Sequence, residues 1–284
     1  MKKKYAIRSM FMARPGNLLI QFDLSQAETW VVAHLAQEEN MKAALRDGDI
    51  HALTGVVLFH EDKVGCPHAW TGKDDKTCSG CGVIVLKDER YVGKRYNHAS
   101  SYRMGSNRAA EVINKDSIET GVSVSLAQSK MYSSKWHSFY YLRGWWDEIE
   151  YKLGQSRTLT TVYGFRRVFF GQWGEELFKE ATAFEPQSTV ADHAFGAIQP
   201  ELGISGGIIG VRKLFLKHRD VRLAHTAHDS IMLEVPKNLV SEIAPQVYNQ
   251  MYRPLVIKGE QFYIPVDAEV GERWGEMETL KLAA

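Results

Sequence analysis

Apolar and polar positions alternate with two different periods along the chain, and they predict both strands and helices. Residues 17–23 form a short apolar run with one acid at its end, which is typical of a buried strand carrying Asp23 at its tip. Ser25 and Glu28 follow with the three-residue spacing of a capping box. This spacing predicts a helix that begins after Ser25, its N-cap residue, and continues to about Asn40.

The rest of the chain has similar periods, with three interruptions. Residues 60–88 have no helical period and predict an inserted loop or small hairpin. Pro186 predicts a break or a start within a helix, and residues 203–210 form a glycine-rich connection. The other predicted elements are helices at 50–58, 90–101, 125–155 (two helices, broken near Gly144), 175–198 and 238–252, a hairpin at 158–170, and a strand at 263–270.

A second acid lies at the turn of a predicted strand pair. His228-Asp229-Ser230 separates two apolar runs, residues 221–227 and 231–235. So short a polar segment between two strands predicts a strand-turn-strand unit with Asp229 at its tip. Long helices grouped between such strands indicate an α+β fold.

Composition narrows the possible classes of protein. The chain has 284 residues, of which 44% are hydrophobic, so it can bury one large or two smaller cores. Its net charge of +1 gives no general attraction for nucleic acid, so any phosphate-binding surface must come from local clusters of Lys and Arg. We see no apolar run of membrane-spanning length, and the basic start is not followed by a signal core. These features predict a cytoplasmic protein, in the host cytoplasm or nucleoid if it is phage-encoded.

Two acids at rigid strand ends suit one kind of chemistry. Phosphoryl transfer depends on divalent ions that neutralise the triphosphate and activate the attacking hydroxyl. Such hard ions prefer carboxylate oxygens. Either acid alone would more often cap a turn or face water, so the surrounding residues decide whether Asp23 and Asp229 form a metal site.

Those surroundings resemble motifs of the family A DNA polymerases, the bacterial DNA polymerase I family. Asp23-Leu24-Ser25-Gln26-Ala27-Glu28 resembles the first motif, and His228-Asp229-Ser230 resembles the third, which usually reads His-Asp-Glu. The family's fingers helix has Arg, Lys, an aromatic residue and Tyr at four-residue spacing, matched here by Arg90, Lys94, His98 and Tyr102. Residues at that spacing lie along one side of a helix, where cations can hold a triphosphate and rings can stack on a base.

The resemblance covers nearly the whole chain and implies its architecture. Further segments that resemble the family are Ile7–Phe11, Ala33-His34-Leu35, Asp49-Ile50-His51, Gln187–Asp192 and Gly271–Trp274. The implied fold is α+β: a right-hand palm with an antiparallel sheet and helices, plus mainly helical fingers, with the thumb absent. The implied segments are 1–59 (first part of the palm), 60–88 (insert), 89–156 (fingers) and 157–284 (second part of the palm).

The resemblance implies a template-directed DNA polymerase, as a catalytic subunit or fragment, that extends a primer 3′ end by a two-metal mechanism. Asp23 and Asp229 would bind two magnesium ions, with the Leu24 carbonyl as a further ligand. Lys94 would be catalytic by protonating the leaving pyrophosphate. The implied nucleotide-binding residues are Leu24, Gln26, Glu28, Arg90, Lys94, His98 and Tyr102.

Contacts with the sugar and with DNA also follow from the resemblance. Glu28 would lie beneath the nucleotide sugar and exclude a 2′-hydroxyl, with Tyr102 beside it, which favours DNA over RNA synthesis. His228 would lie near the primer end. The implied DNA-binding residues are Gln187, Lys179, Arg166 and His228.

The chain departs from the family pattern at several positions. His98 replaces an aromatic Phe or Tyr and introduces a titratable ring. Trp30 stands where the family usually has Arg, Ala99 and Arg103 replace glycines, and Ser230 replaces the acid beside Asp229. These departures affect expectations of rate and fidelity more than of reaction type.

All three cysteines fall inside the insert. Cys78-Ser79-Gly80-Cys81 followed by Gly is typical of a zinc knuckle, and Cys66 and His68 can complete a tetrahedral set. His60 is an alternative fourth ligand. The sequence therefore predicts a structural zinc ion, whereas the alternative is three unligated thiols in a surface loop.

Only about twenty residues precede Asp23, where family members carry a thumb and often an exonuclease domain. We therefore predict a fragment or one half of a split polymerase, resembling a phage or split form, with a second chain supplying the thumb and perhaps an exonuclease. The other expected partners are primer–template DNA and deoxynucleoside triphosphates, and no membrane. One alternative is a catalytically silent DNA-binding or assembly module with the same fold. Another is an RNA-synthesising relative, which Glu28 disfavours.

Overall fold

A computed structural model describes residues 7–66 and 69–282. The chain forms two compact units. The first comprises residues up to Glu28 together with 160–166 and the chain from Glu185 onward, and the second comprises 29–159 and 167–184. The segment boundaries implied by the family resemblance stay a prediction.

Helices and strands of the described residues are numbered in chain order. The helices are α1 (Ala27–Leu35), α2 (Glu39–Arg46), α3 (Ile50–Phe59), α4 (Lys87–Ser101), α5 (Ser106–Lys115), α6 (Ser117–Thr120), α7 (Leu126–Phe139), α8 (Arg143–Ser156), α9 (Glu175–Phe195), α10 (Gly207–Lys217) and α11 (Val240–Met251). The strands are β1 (Asn17–Leu24), β2 (Trp70–Thr71), β3 (Lys76–Cys78), β4 (Ile84–Val85), β5 (Thr158–Thr160), β6 (Arg166–Val168), β7 (Arg222–Ala227), β8 (Ser230–Pro236), β9 (Pro254–Ile257), β10 (Glu260–Tyr263), β11 (Val266–Gly271) and β12 (Glu278–Thr279). None of the described helices is long and apolar enough to span a membrane.

The first unit is built on an antiparallel sheet of five strands in the order β12-β11-β1-β8-β7. Side chains alternate across the central strand β1, where Ile20 and Phe22 are fully buried and Gln21 and Asp23 are only partly buried. Helix α11 packs against β1, β8 and β11. Because a strand has a period of two, burial of one face leaves the other face of β1 for polar residues.

In the second unit, α3 and α4 approach each other closely at two glycines. A Cβ atom on Gly93 would lie 2.5 Å from the His51 carbonyl oxygen, and one on Gly55 would lie 2.6 Å from a methyl carbon of Val85. Beside this contact, the Asn97 Oδ1 atom accepts hydrogen bonds from Thr54 Oγ1 and Trp136 Nε1, both at 2.9 Å. A fully buried amide with these partners fixes α4 against its neighbours.

Five predicted features need correction. Helix α1 begins at Ala27, so Ser25 is not its N-cap residue, and it ends at Leu35. Gln37 then adopts a left-handed φ of 54°, and the Glu38 carboxylate accepts a hydrogen bond from Met41 N at 2.7 Å, which starts α2. The break predicted near Gly144 lies before Arg143, so this glycine is inside α8.

Pro186 does not interrupt its helix, because α9 runs continuously from Glu175 to Phe195. The glycine-rich connection ends sooner than predicted, since α10 begins at Gly207. A Cβ atom on Gly210 would overlap the Gln250 side chain of α11, so this glycine permits close packing of the two helices. The insert is more ordered than a loop, because β2, β3 and β4 form a three-stranded antiparallel sheet.

An ion pair at the end of β8 predicts a pH dependence of stability. Glu234 Oε1 accepts hydrogen bonds from Arg14 N and Nε at 2.9 Å and from Asn17 Nδ2 at 2.8 Å. Burial acts to raise the pKa of Glu234, but these hydrogen bonds outweigh it and lower the pKa from 4.5 to about 2. The carboxylate therefore stabilises the fold above about pH 4.5, and this contribution is lost as the pH falls toward 2.

We expect Glu234→Gln to lower the free energy of unfolding by about 1–2 kcal/mol at pH 7. The difference from the unmodified protein should vanish near pH 2. Urea titrations across this pH range would measure it, with the exposed Glu278→Gln as the matched control. A deficit that stays constant down to pH 2 would contradict the assignment.

Candidate active site

Two strand pairings bring Asp23 and Asp229 together. Asp23 is the penultimate residue of β1 and lies opposite Ser230 of β8, the residue that follows Asp229. The Leu24 N–H donates to the Asp229 carbonyl oxygen at 3.3 Å. Both acids line one cleft of about 460 Å³, entirely within the first unit. Main-chain pairing, and not side-chain flexibility, therefore fixes the distance between them.

The turn that carries Asp229 is tight and strained. His228 and Asp229 are the two residues between β7 and β8, so the pair forms a two-residue hairpin turn. His228 has a left-handed φ of 51°, a conformation that costs about 1–2 kcal/mol in a residue other than glycine. Ser230 Oγ donates to the Ala227 carbonyl oxygen at 2.9 Å and closes the turn. The sequence prediction of a strand-turn-strand unit is confirmed.

The cleft has an excess of negative charge. Burial, followed by the charges of Asp229, Asp267 and Glu269, raises the pKa of Asp23 from 3.8 to about 6, and Arg8 opposes them. Burial, and then the charge of Glu28, also raise the pKa of Asp229. A hydrogen bond from its own backbone N–H and the charge of His228 act to lower it. Carboxylates that destabilise one another in this way form a donor set suited to a hard divalent cation. Magnesium therefore fits the residues that are present.

Asp267 and Glu269 were not identified from the sequence. Asp267 lies directly opposite Asp23 in the pairing of β1 with β11, and Glu269 lies opposite Gln21. Directly opposite residues in an antiparallel pair project on the same face, so both acids enter the cleft. The signal was available in the alternation of Val266 to Val270, where acids occupy every second position of a predicted strand.

A second cleft shares His228 and Asp229 with the first. It has a volume of about 450 Å³ and is lined by Glu28, Gln187, Val190, Ala191, His228 and Asp229. Three residues with predicted nucleotide or DNA roles, Glu28, Gln187 and His228, are therefore neighbours. Gln26 directly precedes α1, the helix that carries Glu28, and has a left-handed φ of 55°. Its Oε1 atom is buried without a hydrogen-bond partner among the described residues.

The predicted stripe on α4 belongs to the second unit. Arg90, Lys94 and His98 lie on the solvent side of α4, whereas Val92, Tyr96 and Asn97 on the opposite side are buried. The helix ends at Ser101, so Tyr102 lies one residue beyond it and is partly buried.

Arg90 has an ion-pair partner that the sequence did not suggest. Its Nε atom donates to Asp49 Oδ2 at 2.9 Å, while Asp49 Oδ1 caps α3 at Ala52 N. The neighbouring His51 is buried, and burial followed by the charges of His98, Arg90 and Lys94 lowers its pKa to about 3. His51 is therefore neutral at pH 7, and its ring centroid lies 5.7 Å from that of His98.

The remaining predicted residues are dispersed. Arg166 is exposed on β6 in the first unit. Lys179 is on α9 in the second unit, and its Nζ atom donates to Glu176 at 2.7 Å. The sulfur atoms of Cys66, Cys78 and Cys81 lie together in the second unit. His68, a predicted zinc ligand, lies outside the described residues.

Comparisons with known proteins agree with this architecture. The family model for DNA polymerase family A matches residues 1–276. The chain is 25% identical to DNA polymerase I of Synechocystis sp. over 95% of its own length and 26% of that protein. It is 28% identical to the thermostable DNA polymerase I of Thermus filiformis over 93% of its own length and 28% of that protein. The chain thus spans about a quarter of the length of these curated relatives.

A solved structure shares the fold. The POL domain of Pol1 from M. smegmatis, in complex with DNA primer-template and dNTP, superposes with a TM-score of 0.70 at 18% identity, covering 94% of this chain and 42% of that one. The likeness confirms the predicted α+β fold of a polymerase palm with helical fingers. With the family match over nearly all of its length, the chain belongs to DNA polymerase family A.

Proposed function

We propose that this chain carries the catalytic palm and fingers of a DNA polymerase that adds deoxynucleotides to a primer 3′ end. The observation that supports it most is the pair Asp23 and Asp229, held side by side by strand pairing, where burial and neighbouring acids raise the pKa of both. In this proposal the first unit supplies the metal site and the second supplies the nucleotide-binding helix α4.

The proposed roles come from the family resemblance and are compatible with the positions of the residues. Asp23, Asp229 and the Leu24 carbonyl would hold two magnesium ions, which neutralise phosphate charge and activate the primer hydroxyl when bound. Arg90 and Lys94, on the solvent side of α4, would bind the triphosphate, and Lys94 would donate the proton to pyrophosphate. His98 and Tyr102 would pack on the incoming nucleotide.

The cleft beside the Asp229 turn would receive the sugar and the primer end. Glu28 would stand against a 2′-hydroxyl, while Gln187 and His228, in the same cleft, would contact DNA. Lys179 and Arg166 would add phosphate contacts further away. A second chain that supplies a thumb stays a prediction from the sequence.

Primer extension tests the proposal. We expect the protein that carries this chain to extend a labelled primer with deoxynucleotides and magnesium, and to use ribonucleotides far less well. Reactions with and without a thumb-bearing family A chain separate the predicted partner from the chemistry. If DNA is bound but no primer is extended under any of these conditions, the chain is a silent binding module and the proposal fails.

Asp267 is expected to strengthen the metal site. It lies opposite Asp23 and raises the pKa of that carboxyl, so its own charge reaches the place where a cation would bind. Ser230, at the position where the family usually has an acid, leaves this role open. We expect Asp267→Asn to raise the magnesium concentration for half-maximal extension about 10-fold.

The matched control is Asp220→Asn, an exposed acid in the same unit. Terbium or manganese binding would give a readout that does not depend on activity. An unchanged magnesium requirement and unchanged ion affinity would remove Asp267 from the metal site.

A further inference from the structure

The insert between α3 and α4 is a sheet with little apolar support. Its strands β2, β3 and β4 have only two or three residues each. Cys78, Val83 and Val85 are buried against Val56 of α3, and the other apolar residues near them are only partly buried. Strands this short, with so few buried apolar residues, contribute little stability of their own.

Three cysteine sulfur atoms lie close together beside this sheet. The Cys66 and Cys78 Sγ atoms are 3.8 Å apart, and those of Cys66, Cys78 and Cys81 all lie within 4.8 Å of one another. A disulfide would require about 2.0 Å. Thiolates on a tetrahedral zinc ion, with Zn–S bonds of about 2.3 Å, lie about 3.8 Å apart. The Cys66–Cys78 distance matches that value, and the 4.8 Å limit on the other two pairs leaves room for one shared ion.

The main chain around Cys78 and Cys81 is arranged for the same purpose. The Cys81 N–H donates to Cys78 Sγ at 3.5 Å, and the Gly82 N–H donates to the Cys78 carbonyl oxygen at 2.9 Å. Gly82 has a left-handed φ of 73°, which turns the chain back so that β4 can pair with β3. An N–H that donates to a metal-binding sulfur orients the ligand and stabilises its charge.

This sheet is joined to the beginning of helix α4. The Lys87 N–H, in the first turn of α4, donates to Asp75 Oδ1 at 2.8 Å. Lys76, the first residue of β3, follows Asp75 in the chain. Its Nζ atom lies 4.0 Å from Asp49 Oδ2, the same oxygen that accepts a hydrogen bond from Arg90. The hairpin between β2 and β3 therefore contacts both the main chain and the side-chain network at the start of the helix that carries Arg90 and Lys94.

We propose that Cys66, Cys78 and Cys81 bind one structural zinc ion as thiolates, and that this ion holds the β2–β4 sheet against the first turn of α4. Each thiol loses its proton to solvent on binding, and zinc undergoes no redox change. Among the described residues, these three sulfur atoms form the group of possible metal ligands. His60, one candidate from the sequence, pairs with Glu89 at 2.9 Å, and His68 stays a prediction.

The proposal does not rest on polymerase activity, so it can fail or hold independently of the proposed function. We expect the native protein to contain about one zinc per chain, measured by mass spectrometry of the metals after extensive dialysis. Cobalt substitution should give intense thiolate-to-metal absorption. No zinc above background and no such absorption would overturn the proposal, as would a mass showing a disulfide in the freshly isolated protein.

A variant series tests the link to α4. Cys78→Ser should reduce the zinc content at least 10-fold, whereas Ser79→Ala, in the same turn but without a ligand atom, should keep it. Amide hydrogen exchange in residues 84–94 should become at least 10-fold faster in Cys78→Ser, because the support of the first turn is lost. Exchange in α8 serves as the internal reference.

Chelation of the unmodified protein covers the case in which Cys78→Ser fails to fold. Removal of zinc by a strong chelator should speed exchange in the same residues, and added zinc should reverse the change. If the metal leaves while exchange in 84–94 stays the same, the ion binds but does not support α4, and that half of the proposal is wrong.

Discussion

Asp23→Asn is expected to abolish primer extension while making the metal-free fold more stable. The carboxylate supplies ligand oxygens in the proposed site, and loss of a metal ligand that contributes several kcal/mol lowers the rate at least ~10³-fold. In the absence of metal, burial and neighbouring acids raise the pKa of Asp23 to about 6. Since this value lies above the ordinary 3.8, the ionised group destabilises the fold at pH 7, by up to about 3 kcal/mol.

Thermal unfolding with and without magnesium makes this test independent of turnover. In EDTA at pH 7 the variant should melt at a higher temperature than the unmodified protein. At pH 4 the difference should be small, because Asp23 is then protonated in the folded state. Magnesium should raise the melting temperature of the unmodified protein and not that of the variant.

The control for this prediction is Asp220→Asn, which removes an exposed acid from the same unit. It should leave extension, melting temperature and the magnesium effect unchanged. An Asp23→Asn protein that extends primers at the normal rate would refute the assignment of the metal site. One that melts at a lower temperature in EDTA would show that the carboxylate is a structural hydrogen-bond acceptor.

Gly93→Ala is expected to destabilise the second unit by about 3 kcal/mol. The added Cβ atom would lie 2.5 Å from the His51 carbonyl oxygen and 3.0 Å from Gly55 N, so it meets the main chain of α3 at two points. Neither atom can rotate away as a side chain could, and α3 and α4 must separate. The His51 and Asn97 hydrogen bond at 3.1 Å lies in the same contact and should weaken with it.

Gly154→Ala is the matched control. This glycine lies within α8 of the same unit, and a Cβ atom there would meet only the Trp173 ring, at an ordinary 3.7 Å. Because alanine favours a helix over glycine, this variant should be more stable by about 0.5–1 kcal/mol. Denaturant unfolding of both variants measures the contrast, and equal stability of the two would show that α3 and α4 adjust freely.

Strand alternation made part of the site predictable. Asp23 and Asp229 end apolar runs in the sequence, and the structure places both at strand ends in one cleft. Asp267 was not predicted as a site residue, because its position beside Asp23 depends on strand pairing. A sequence shows which residues alternate along a strand, but not which strand will lie beside it, and only the pairing of β1 with β11 sets Asp267 opposite Asp23.

Helices were missed where their ends lack the usual signals. Glu38 caps α2, although Ser, Thr, Asp and Asn are the common residues at that position. Helix α10 begins at Gly207 and also contains Gly210. Because glycine disfavours a helix, the sequence predicted a connection there. Pro186 shows the opposite case, since a residue that usually ends a helix is accommodated inside α9. For α10, the close contact of Gly210 with Gln250 of α11 outweighs the local preference of glycine for a connection.

The short hairpin at Asp229 has a consequence for how the gene can vary. Its two turn residues set the register of β7 on β8, and a shift of one residue would move every side chain of the displaced strand to the opposite face of the sheet. Point changes at His228 alter one side chain, whereas a single-codon insertion or deletion there would put the β7–β8 pairs, such as Leu223 with Leu233, out of register. Natural variation in this turn is therefore expected in residue type and not in length.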